Sequence, residues 1–302
     1  MRGKGAIGLL YRVTTSFTPP QTTFQILVAL PVRANPFGIG WQVWPAPTLV
    51  FSLSPSAFSL SGMIGTALNV AGILIGGLTG LVRRKPLSPA NESFFKVGLG
   101  VFTVFYGLRL TWISVNGTFA QILKQLLIAV LALMLGKMTG RLLRLQKLSN
   151  RLGRQARGRI AAAKPADPSQ LSEGFKTCAA LFCAAPLAIL GSVQDGLSGY
   201  FYPLAAKAVM DGLATMGFVL LFRWGVLLAA LPVLVFQGTI TLLCAQFLKP
   251  FLETHSLVDS VNAAGGLLVF SVALVILEIK KLELADYLPS LIFAPLLAWL
   301  CR

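Results

Sequence analysis

The fold is decided by residues 63–82, which read MIGTALNVAGILIGGLTGLV and are followed at once by Arg83, Arg84 and Lys85. The stretch has 20 residues and no charged side chain. A helix rises about 1.5 Å per residue, so about 20 apolar residues cross a hydrocarbon core about 30 Å thick. The stretch therefore predicts a membrane-spanning helix that ends at a basic loop.

The composition of the whole chain agrees with this prediction. Of its 302 residues, 55% are hydrophobic and only 12% are charged, and the mean hydropathy is +0.76. A water-soluble domain carries about 25% charged residues, so the chain has about half the charge that a soluble surface needs. The net charge is +16. The basic residues lie mostly between apolar stretches without interleaved aromatic residues, which is typical of a topology signal and argues against nucleic-acid binding.

Eight apolar stretches follow one another from Met63 onward. They predict an all-α, polytopic membrane protein with about seven or eight transmembrane helices, one of which is a candidate for a broken or re-entrant span. Basic residues concentrate in alternate connections, so the positive-inside rule places both ends of the membrane region outside the cytoplasm. The predicted spans are residues 63–82, 97–115, 119–138, 174–192, 201–222, 225–248, 260–279 and 286–301.

The chain divides into four parts. Residues 1–62 contain no acid and no long apolar run, and we interpret them as a disordered segment or the product of a mis-assigned start codon, because Met63 opens a strong apolar helix. Residues 63–140 are predicted to form a first membrane repeat of three helices. Residues 141–173 form a basic cytoplasmic linker, and residues 174–302 form a second membrane half of about five helices.

The linker contains a basic amphipathic helix. Leucines recur from Leu142 to Leu152 at three- and four-residue intervals beside basic side chains, and residues 141–159 contain no acid. Such a helix suits an anionic membrane surface, whereas a solvated linker that only orients its neighbouring helices is the alternative. The candidates for contact with anionic lipid head groups are Arg141, Arg144, Lys147, Arg151 and Arg154.

A short self-similarity predicts an internal repeat. Residues 97–104, VGLGVFTV, match residues 265–272, GGLLVFSV, at five of eight positions, and Thr stands opposite Ser at a sixth. Helices one to three then repeat as helices six to eight. An odd number of spans separates equivalent helices, so the copies lie upside down, which is the architecture of many secondary transporters. A chance match between two apolar segments is the alternative.

Polar side chains interrupt the apolar stretches of the second half. Gln194 and Asp195 stand in a Gly-flanked break, and Lys207 and Asp211 lie on one face of the next helix. Ionisable groups inside a span cost about 2.5–3.5 kcal/mol each, so they line a pathway or pair internally. The alternatives are a ligand-free Lys207–Asp211 pair and an exterior loop in which Asp195 caps the next helix. The candidate pathway residues are Gln194, Asp195, Lys207, Asp211, Gln237, Thr239 and Asn69.

The sequence has no catalytic, phosphate-binding or metal-binding motif. It contains one histidine, His255, and four cysteines without a C-x-x-C spacing, which are too few ligands for a metal site. The patterns H-E-x-x-H, G-x-S-x-G and G-x-x-x-x-G-K-S/T do not occur. We therefore expect no enzyme, no cofactor and no metal, and we expect the lipid bilayer and a small solute or ion as partners.

Four blocks of the sequence, spread over about residues 63–300, are Met63-Ile64-Gly65-Thr66-x-x-Asn69 with Gly76-Gly77, Gly191-Ser192-x-Gln194-Asp195-Gly196, Lys207-x-x-x-Asp211-Gly212 and Gln237-Gly238-x-x-Thr241-Leu242. Together they resemble the YqgA/YdfK-type bacterial inner-membrane proteins, a family of unknown function, and this resemblance implies a bacterial inner membrane. The resemblance implies a multi-spanning membrane protein. With the polar residues and the repeat, it favours a secondary transporter or channel-like protein for a small solute or ion. A membrane scaffold or sensor that binds lipid or a cytosolic partner through the basic linker is the alternative.

Overall fold

The structure of the protein is a computed structural model in which the chain separates into two compact units, residues 1–59 and residues 60–302. All helices among the described residues belong to the second unit. The interpretation of residues 1–62 as disordered or mis-assigned falls almost entirely outside the described part of the chain. The described residues are 24–26, 51–53, 63–163 and 170–301.

The first unit is described only at two three-residue strands, β1 (Phe24–Ile26) and β2 (Phe51–Leu53). They pair antiparallel, with Gln25 opposite Ser52. Among the described residues these are the only strands, and no pattern in the sequence predicted them.

The second unit is a bundle of α-helices, as predicted for a polytopic membrane protein. A helix satisfies its own backbone hydrogen bonds, so long apolar runs form helices in a solvent without water. Local signals set several starts: the Ser88 side chain accepts a hydrogen bond from the Asn91 backbone, and Thr118 and Gln121 form a capping box. The helices are α1 (Ile64–Arg83), α2 (Pro89–Ile113), α3 (Phe119–Leu142), α4 (Leu145–Ala162), α5 (Gln170–Ala184), α6 (Pro186–Ser198), α7 (Tyr202–Phe222), α8 (Ala230–Leu243), α9 (Lys249–Thr254), α10 (Val258–Ile276), α11 (Leu284–Tyr287) and α12 (Ser290–Leu300), with a 3-10 segment (Arg223–Ala229) before α8 and a π turn (Cys244–Leu248) after it.

By length and composition, five helical stretches among the described residues can cross a membrane, and the bent pair α5–α6 makes a sixth. The predicted number was seven or eight. The difference arises because Tyr202–Thr254 is one 53-residue stretch that covers two predicted spans, and because Leu284–Leu300 is short. Arg223, with φ of 59°, ends α7 and begins the 3-10 segment inside the long stretch, so α7 and α8 are separate helices.

The broken span lies close to the predicted place but not at it. Residues 191–199 were expected to interrupt two helices, yet α6 continues through them to Ser198. The chain instead bends by 58° between Ala184 and Pro186. Pro186 has no backbone N–H to continue the preceding helix, and it is well suited to the first turn of a new one.

The helices α1 and α7 run parallel and pack closely. A Cβ on Gly72 would overlap the carbonyl oxygen of Ala208, and a Cβ on Gly76 would overlap that of Gly212. Both positions therefore require glycine for the two backbones to approach this closely. Small residues at helix interfaces allow such packing in membranes, where association depends on van der Waals contact.

An apolar cluster fills the bundle beyond the second turn of α1, between α1, α5, α7 and the 3-10 segment. Ile160 and Ala163, at the end of α4, pack against it from the side of the basic linker. The outward faces of the long helices carry exposed apolar side chains, as expected for contact with lipid. The buried members of the cluster are Ile73, Cys178, Phe182, Val219, Phe222, Val226, Ala229, Ala230 and Val233.

Candidate functional site

The candidate site surrounds the first two turns of α1, where polar side chains from α6, α7 and α8 meet its polar face. These side chains are polar, yet almost all of them are buried between apolar helices. The structure gathers Asn69, Asp195, Lys207, Asp211 and Gln237 here and places Gln194 beside them against α10. Thr239, the remaining candidate, is exposed on the opposite face of α8.

Asp195 caps α1 from a distant part of the chain. Its Oδ2 atom accepts a hydrogen bond of 3.0 Å from the backbone N–H of Gly65, and the N–H of Thr66 bonds the same carboxylate. α1 has no acid in its first turn and no side-chain cap at Met63, so Asp195 supplies the acceptor that its free N–H groups need. The alternative in which Asp195 caps the following helix from an exterior loop is wrong, because Asp195 lies inside α6 and is 2% exposed.

Not every oxygen atom around the contact between Asp195 and α1 takes part in a hydrogen bond. Among the described residues, Oδ1 of Asp195, Oγ1 of Thr66 and Oδ1 of Asn69 are buried and have no hydrogen-bond partner. Leaving a buried polar atom unpaired costs about 1–3 kcal/mol, so such atoms in one place require an explanation. A bound ion, water or solute would supply the missing partner.

The end of α6 meets the start of α1 at Asp195. The carbonyl of Asp195 accepts a hydrogen bond from the backbone N–H of Gly199, and that of Gln194 accepts one from Tyr200 at 3.2 Å. Gly199 closes the helix with φ of 65°, a left-handed conformation that favours glycine. The last turn of α6, where the helix dipole is negative, therefore supplies the residue that caps the first turn of α1, where the dipole is positive.

A chain of side-chain contacts links α7, α1 and α8 one turn further along. The Nζ atom of Lys207 donates to Oδ2 of Asp211, and Asn69 also hydrogen-bonds the Asp211 carboxylate. The Nδ2 atom of Asn69 donates to Oε1 of Gln237 at 3.2 Å. Lys207 also lies 5.7 Å from the centre of the Phe182 ring, an arrangement that stabilises a buried ammonium. The charged pair is therefore satisfied within the bundle, unlike Asp195.

Gln194 faces α10 rather than α1. Its side chain is fully buried, and neither its Oε1 nor its Nε2 atom has a partner in the described part of the chain. A Cβ on Gly265 would overlap Nε2, so glycine at this position makes room for the amide. One turn away, the Ser198 hydroxyl donates to Oδ1 of Asn262 at 2.8 Å.

Sequence reasoning missed an aromatic cluster beside the α6–α7 connection. The Tyr106 and Tyr202 rings stack with centroids 3.8 Å apart, and the Tyr200 hydroxyl donates to the Tyr106 carbonyl at 2.6 Å. Burial raises the pKa of Tyr200 to about 12, which keeps the phenol protonated as a donor. The guanidinium of Arg109 lies 5.9 Å from the Tyr202 ring centre. The run of aromatics at residues 200–202, between two spans, was the available signal.

A second carboxylate cap, also missed, fixes the basic helix α4. Oδ1 of Asp286 accepts a hydrogen bond of 2.8 Å from the backbone N–H of Gln146, and Oε1 of Gln146 accepts one of 3.0 Å from Ala285. An ion pair of 3.3 Å between Arg141 and Glu283 lies beside this junction. The five lipid-contact candidates, Arg141, Arg144, Lys147, Arg151 and Arg154, are all exposed.

The donor set is rich in neutral oxygen and poor in metal-binding side chains. Over the described residues, no group of three or more His, Cys, Asp or Glu side chains could hold a metal ion. The four cysteines are free thiols, and Cys178 and Cys244 are buried. Any ion held at the α1 junction would therefore be bound by one carboxylate together with hydroxyl and amide oxygens.

The apolar helices and the buried polar cluster define a multi-pass α-helical membrane protein. The chain belongs to the family described as "Protein of unknown function (DUF554)", whose model matches residues 64–299. It is similar to "Uncharacterized membrane protein YdfK" of Bacillus subtilis (strain 168), with 28% identity over 233 residues, 77% of this chain and 94% of the relative. It is also similar to "Uncharacterized protein YqgA" of Escherichia coli (strain K12), with 28% identity over 234 residues and the same two coverages.

These matches confirm the resemblance found in the sequence motifs, and the name of the first relative agrees with the membrane class. No solved structure matches the chain. The comparisons therefore supply the family and the class of protein but no substrate.

Proposed function

We propose that this protein is a secondary transporter or channel-like protein that moves a small solute or ion across a bacterial inner membrane. The observation that carries the proposal is the buried cluster around the start of α1, in which several polar atoms have no partner among the described residues. Such atoms are expensive inside a membrane, and they usually mark a path for a polar substrate.

Helix packing supports the inverted repeat that the proposal includes. With the bent pair α5–α6 counted as one helix of the bundle, α8, α10 and α12 are the proposed copies of α1, α2 and α3. Each copy packs on its counterpart: Asn69 contacts Gln237, and a Cβ on Gly107 or Gly136 would overlap α10 or α12, respectively. In inverted repeats, binding sites lie where the copies meet.

A local feature also recurs at equivalent positions of the matched blocks. The Thr103 hydroxyl donates to the Leu99 carbonyl at 2.6 Å, and the Ser271 hydroxyl donates to the Leu267 carbonyl at 2.9 Å. Both pairs are four residues apart, and 168 residues separate the copies. Hydroxyls in helices often bond back in this way, so the feature supports the repeat only together with the packing.

Within this proposal the polar residues have different roles. Asp195 is the candidate binding group, because one of its oxygens is unused. Lys207 and Asp211 neutralise each other and would gate the path by exchanging partners. Gln194, Gln237 and Asn69 provide neutral polar contacts. Thr239 is directed away from the cluster, and Thr241, which donates to the Ser192 carbonyl at 3.3 Å, lies on the inward face instead.

Solvent access to the cluster tests the proposal. In a variant whose four native cysteines are replaced, Asp195→Cys or Thr66→Cys is treated with a membrane-impermeant thiol reagent from each side of the membrane. We expect labelling from at least one side, at a rate that Lys207→Gln or Gln237→Ala changes.

The matched control is Thr103→Cys, since Thr103 is also a buried helical threonine but lies on α2, away from the cluster. We expect it to stay unlabelled. Thr66→Cys serves if Asp195→Cys does not fold. If Thr66→Cys is as unreactive as Thr103→Cys from both sides, the cluster is a sealed structural network and the transport proposal is wrong.

The second candidate function is a lipid-binding scaffold or sensor, and the exposed basic face of α4 favours it. α4 follows directly after the membrane helix α3, and the Asp286–Gln146 junction holds it against the bundle. Its basic side chains are exposed, with Leu148 57% exposed beside them. A basic amphipathic helix at this position would bind anionic head groups.

Native mass spectrometry of the protein in nanodiscs tests this second function. We expect several phosphatidylglycerol molecules to remain bound and few phosphatidylcholine molecules. Replacing Arg144, Lys147, Arg151 and Arg154 with Gln should remove most of them. The control replaces Arg83, Arg84, Lys85 and Lys280, four exposed basic residues elsewhere. An equal loss in both variants would show a general charge effect and would contradict a binding role for α4.

A further inference from the structure

We propose that Asp195, Thr66 and Asn69 form a binding site for one alkali-metal cation. The inference rests on the proposed function and deepens it, because the ion held here would be the transported or the coupling ion. The argument has three parts: the net charge of the cluster, the helix dipoles, and the set of unused oxygen atoms.

The buried cluster is one positive charge short. Among the described residues, the charged side chains buried in it are Asp195, Lys207 and Asp211. Lys207 and Asp211 form an ion pair, so Asp195 is left with no counter-charge from a side chain. The other buried acid, Asp286, lies at the separate α4–α11 junction. A lone buried charge is unfavourable in a medium of low dielectric, and one monovalent cation would neutralise it.

The backbone does not supply this missing charge. The start of α1 places about half a positive charge at the Asp195 carboxylate, through the N–H groups of Gly65 and Thr66. Asp195 also belongs to the last turn of α6, the end of that helix with the opposite partial charge. A helix dipole has no net charge of its own, so the three side chains leave the cluster with a net charge of about −1.

Among the described residues, three of the unpaired atoms in the cluster are oxygens, the ligands that a hard cation prefers, and the fourth, Nε2 of Gln237, is a donor. Oδ2 of Asp195 is held at Gly65, which places the carboxylate at the first turn of α1, next to Thr66. Asn69 follows three residues later, on the same helix face. Each of these residues is no more than 2% exposed and has one oxygen without a partner in the described structure. A cation would use all three oxygens at once.

Other ligands fit less well. A proton on Asp195 would cancel the charge but would leave the Asn69 oxygen unpaired. A divalent ion usually recruits more carboxylates than the one present, and it would leave an excess positive charge. A transition metal prefers His and Cys ligands, which do not gather here. The donor set of one carboxylate, one hydroxyl and one amide oxygen therefore points to an ion of the sodium or potassium class.

Cation binding is measured on the full-length protein in detergent, in a choline chloride buffer at constant ionic strength. The thermal unfolding midpoint is followed while NaCl, KCl or LiCl replaces choline chloride. We expect a saturable rise for at least one of the three salts, because an ion that binds only the folded state stabilises it by mass action. The rise should differ between the three ions, because they differ in radius and a fixed set of oxygen ligands suits one radius best.

Asp195→Asn is the main variant, since the amide oxygen can still cap α1 while the charge is removed. We expect it to lose the saturable rise. Thr66→Val keeps the side-chain shape and should weaken half-saturation by about tenfold or more. Asp286→Asn is the matched control, because Asp286 is also a buried aspartate that caps a helix. Its cation response should equal that of the wild type.

The possible outcomes separate the two proposals. No saturable response to any alkali ion in the wild type, or an unchanged response in both Asp195→Asn and Thr66→Val, would overturn the cation site. A midpoint that depends on pH but not on the alkali ion would identify a proton as the ligand and would also overturn it. If the cation binds while Thr66→Cys remains inaccessible from both sides, the site exists but the transport function fails.

Discussion

Two buried aspartates cap the start of a helix from a distant part of the chain, and they differ in how far their surroundings are complete. Asp286 holds the start of α4 in a reciprocal arrangement, because the Gln146 side chain returns a hydrogen bond to the Ala285 backbone. Asp195 holds the start of α1, but its second oxygen and those of Thr66 and Asn69 have no partner in the described residues.

This difference separates a structural contact, at Asp286, from a candidate binding site, at Asp195. The Asp286 junction lies next to an exposed ion pair, Arg141–Glu283, where water can complete any missing contact. The Asp195 junction is enclosed by apolar helices, where an unpaired acceptor costs more. The same local interaction is therefore complete at one end of the bundle and leaves unpaired oxygen atoms at the other.

The largest effect is expected when the charge balance of the Asp195 region is broken. Asp211→Asn leaves Lys207 buried without its counter-charge, and we expect a loss of about 3–5 kcal/mol in the free energy of unfolding. Glu283→Gln removes the partner of exposed Arg141 and should cost less than about 1 kcal/mol. Thermal unfolding midpoints in detergent give the comparison. Equal losses in the two variants would show that water reaches Lys207 and Asp211, contrary to their burial in the structure.

The next effect tests how closely Asp195 approaches α1. A Cβ on Gly65 would meet Oδ2 of Asp195 at 2.9 Å and would overlap Leu204 still more closely, whereas a Cβ on Gly98 would meet nothing within 4 Å. Gly65→Ala should therefore destabilise by about 1–3 kcal/mol. Gly98→Ala should stabilise by up to about 1 kcal/mol, because alanine favours the helix. Changes of the same sign would contradict the close approach.

Removing the second cap gives a smaller effect. Asp286→Ala takes away the acceptor for the Gln146 backbone, and we expect a loss of about 1 kcal/mol with fraying at the start of α4. Hydrogen exchange at the first turn of α4 reports the fraying directly. Asp286→Asn keeps an acceptor and should protect this turn almost as well as the wild type. Full protection in Asp286→Ala would mean that other contacts hold α4.

The smallest effect concerns one neutral hydrogen bond beside the site. Ser198→Ala removes the donor to Asn262, and interhelical bonds of this kind contribute about 0.6 kcal/mol in membranes. We expect a shift of the unfolding midpoint close to the limit of measurement and no change in cation response. A loss as large as that of Asp211→Asn would place Ser198 within the charged cluster.

The membrane class and most helix positions could be predicted because they depend on local composition. An apolar run of about 20 residues has only one stable structure in lipid, so residues 63–82 and 260–279 identified α1 and α10 without further information. The number of spans was less predictable. A stretch such as Tyr202–Thr254 is apolar throughout, and its break depends on the backbone conformation of a single residue, Arg223.

The site could be predicted as a set of residue types but not as a set of contacts. Asp195 and Gly65 are 130 residues apart, and nothing in either local sequence shows that they meet. Thr239 was chosen over Thr241 because α8 is apolar all round, so periodicity does not reveal its inward face. Asp286 was missed because it lies in a four-residue helix just after the charged residues Lys280, Lys281 and Glu283, where a loop carboxylate is the ordinary expectation.

The interlocked glycines of α1 and α7 have a mechanical consequence. Gly72 packs against Ala208, and Gly76 packs against Gly212. Because the two backbones are in contact at both positions, α1 and α7 would move together as one rigid unit. Asn69, Lys207 and Asp211 belong to this rigid unit, whereas Asp195 lies on α6 and Gln237 lies on α8. A rocking motion that opened the bundle between this unit and α6 and α8 would separate these two groups of residues. The hydrogen bond between Gly65 and Asp195 would then break or persist, according to whether an ion is bound beside the carboxylate.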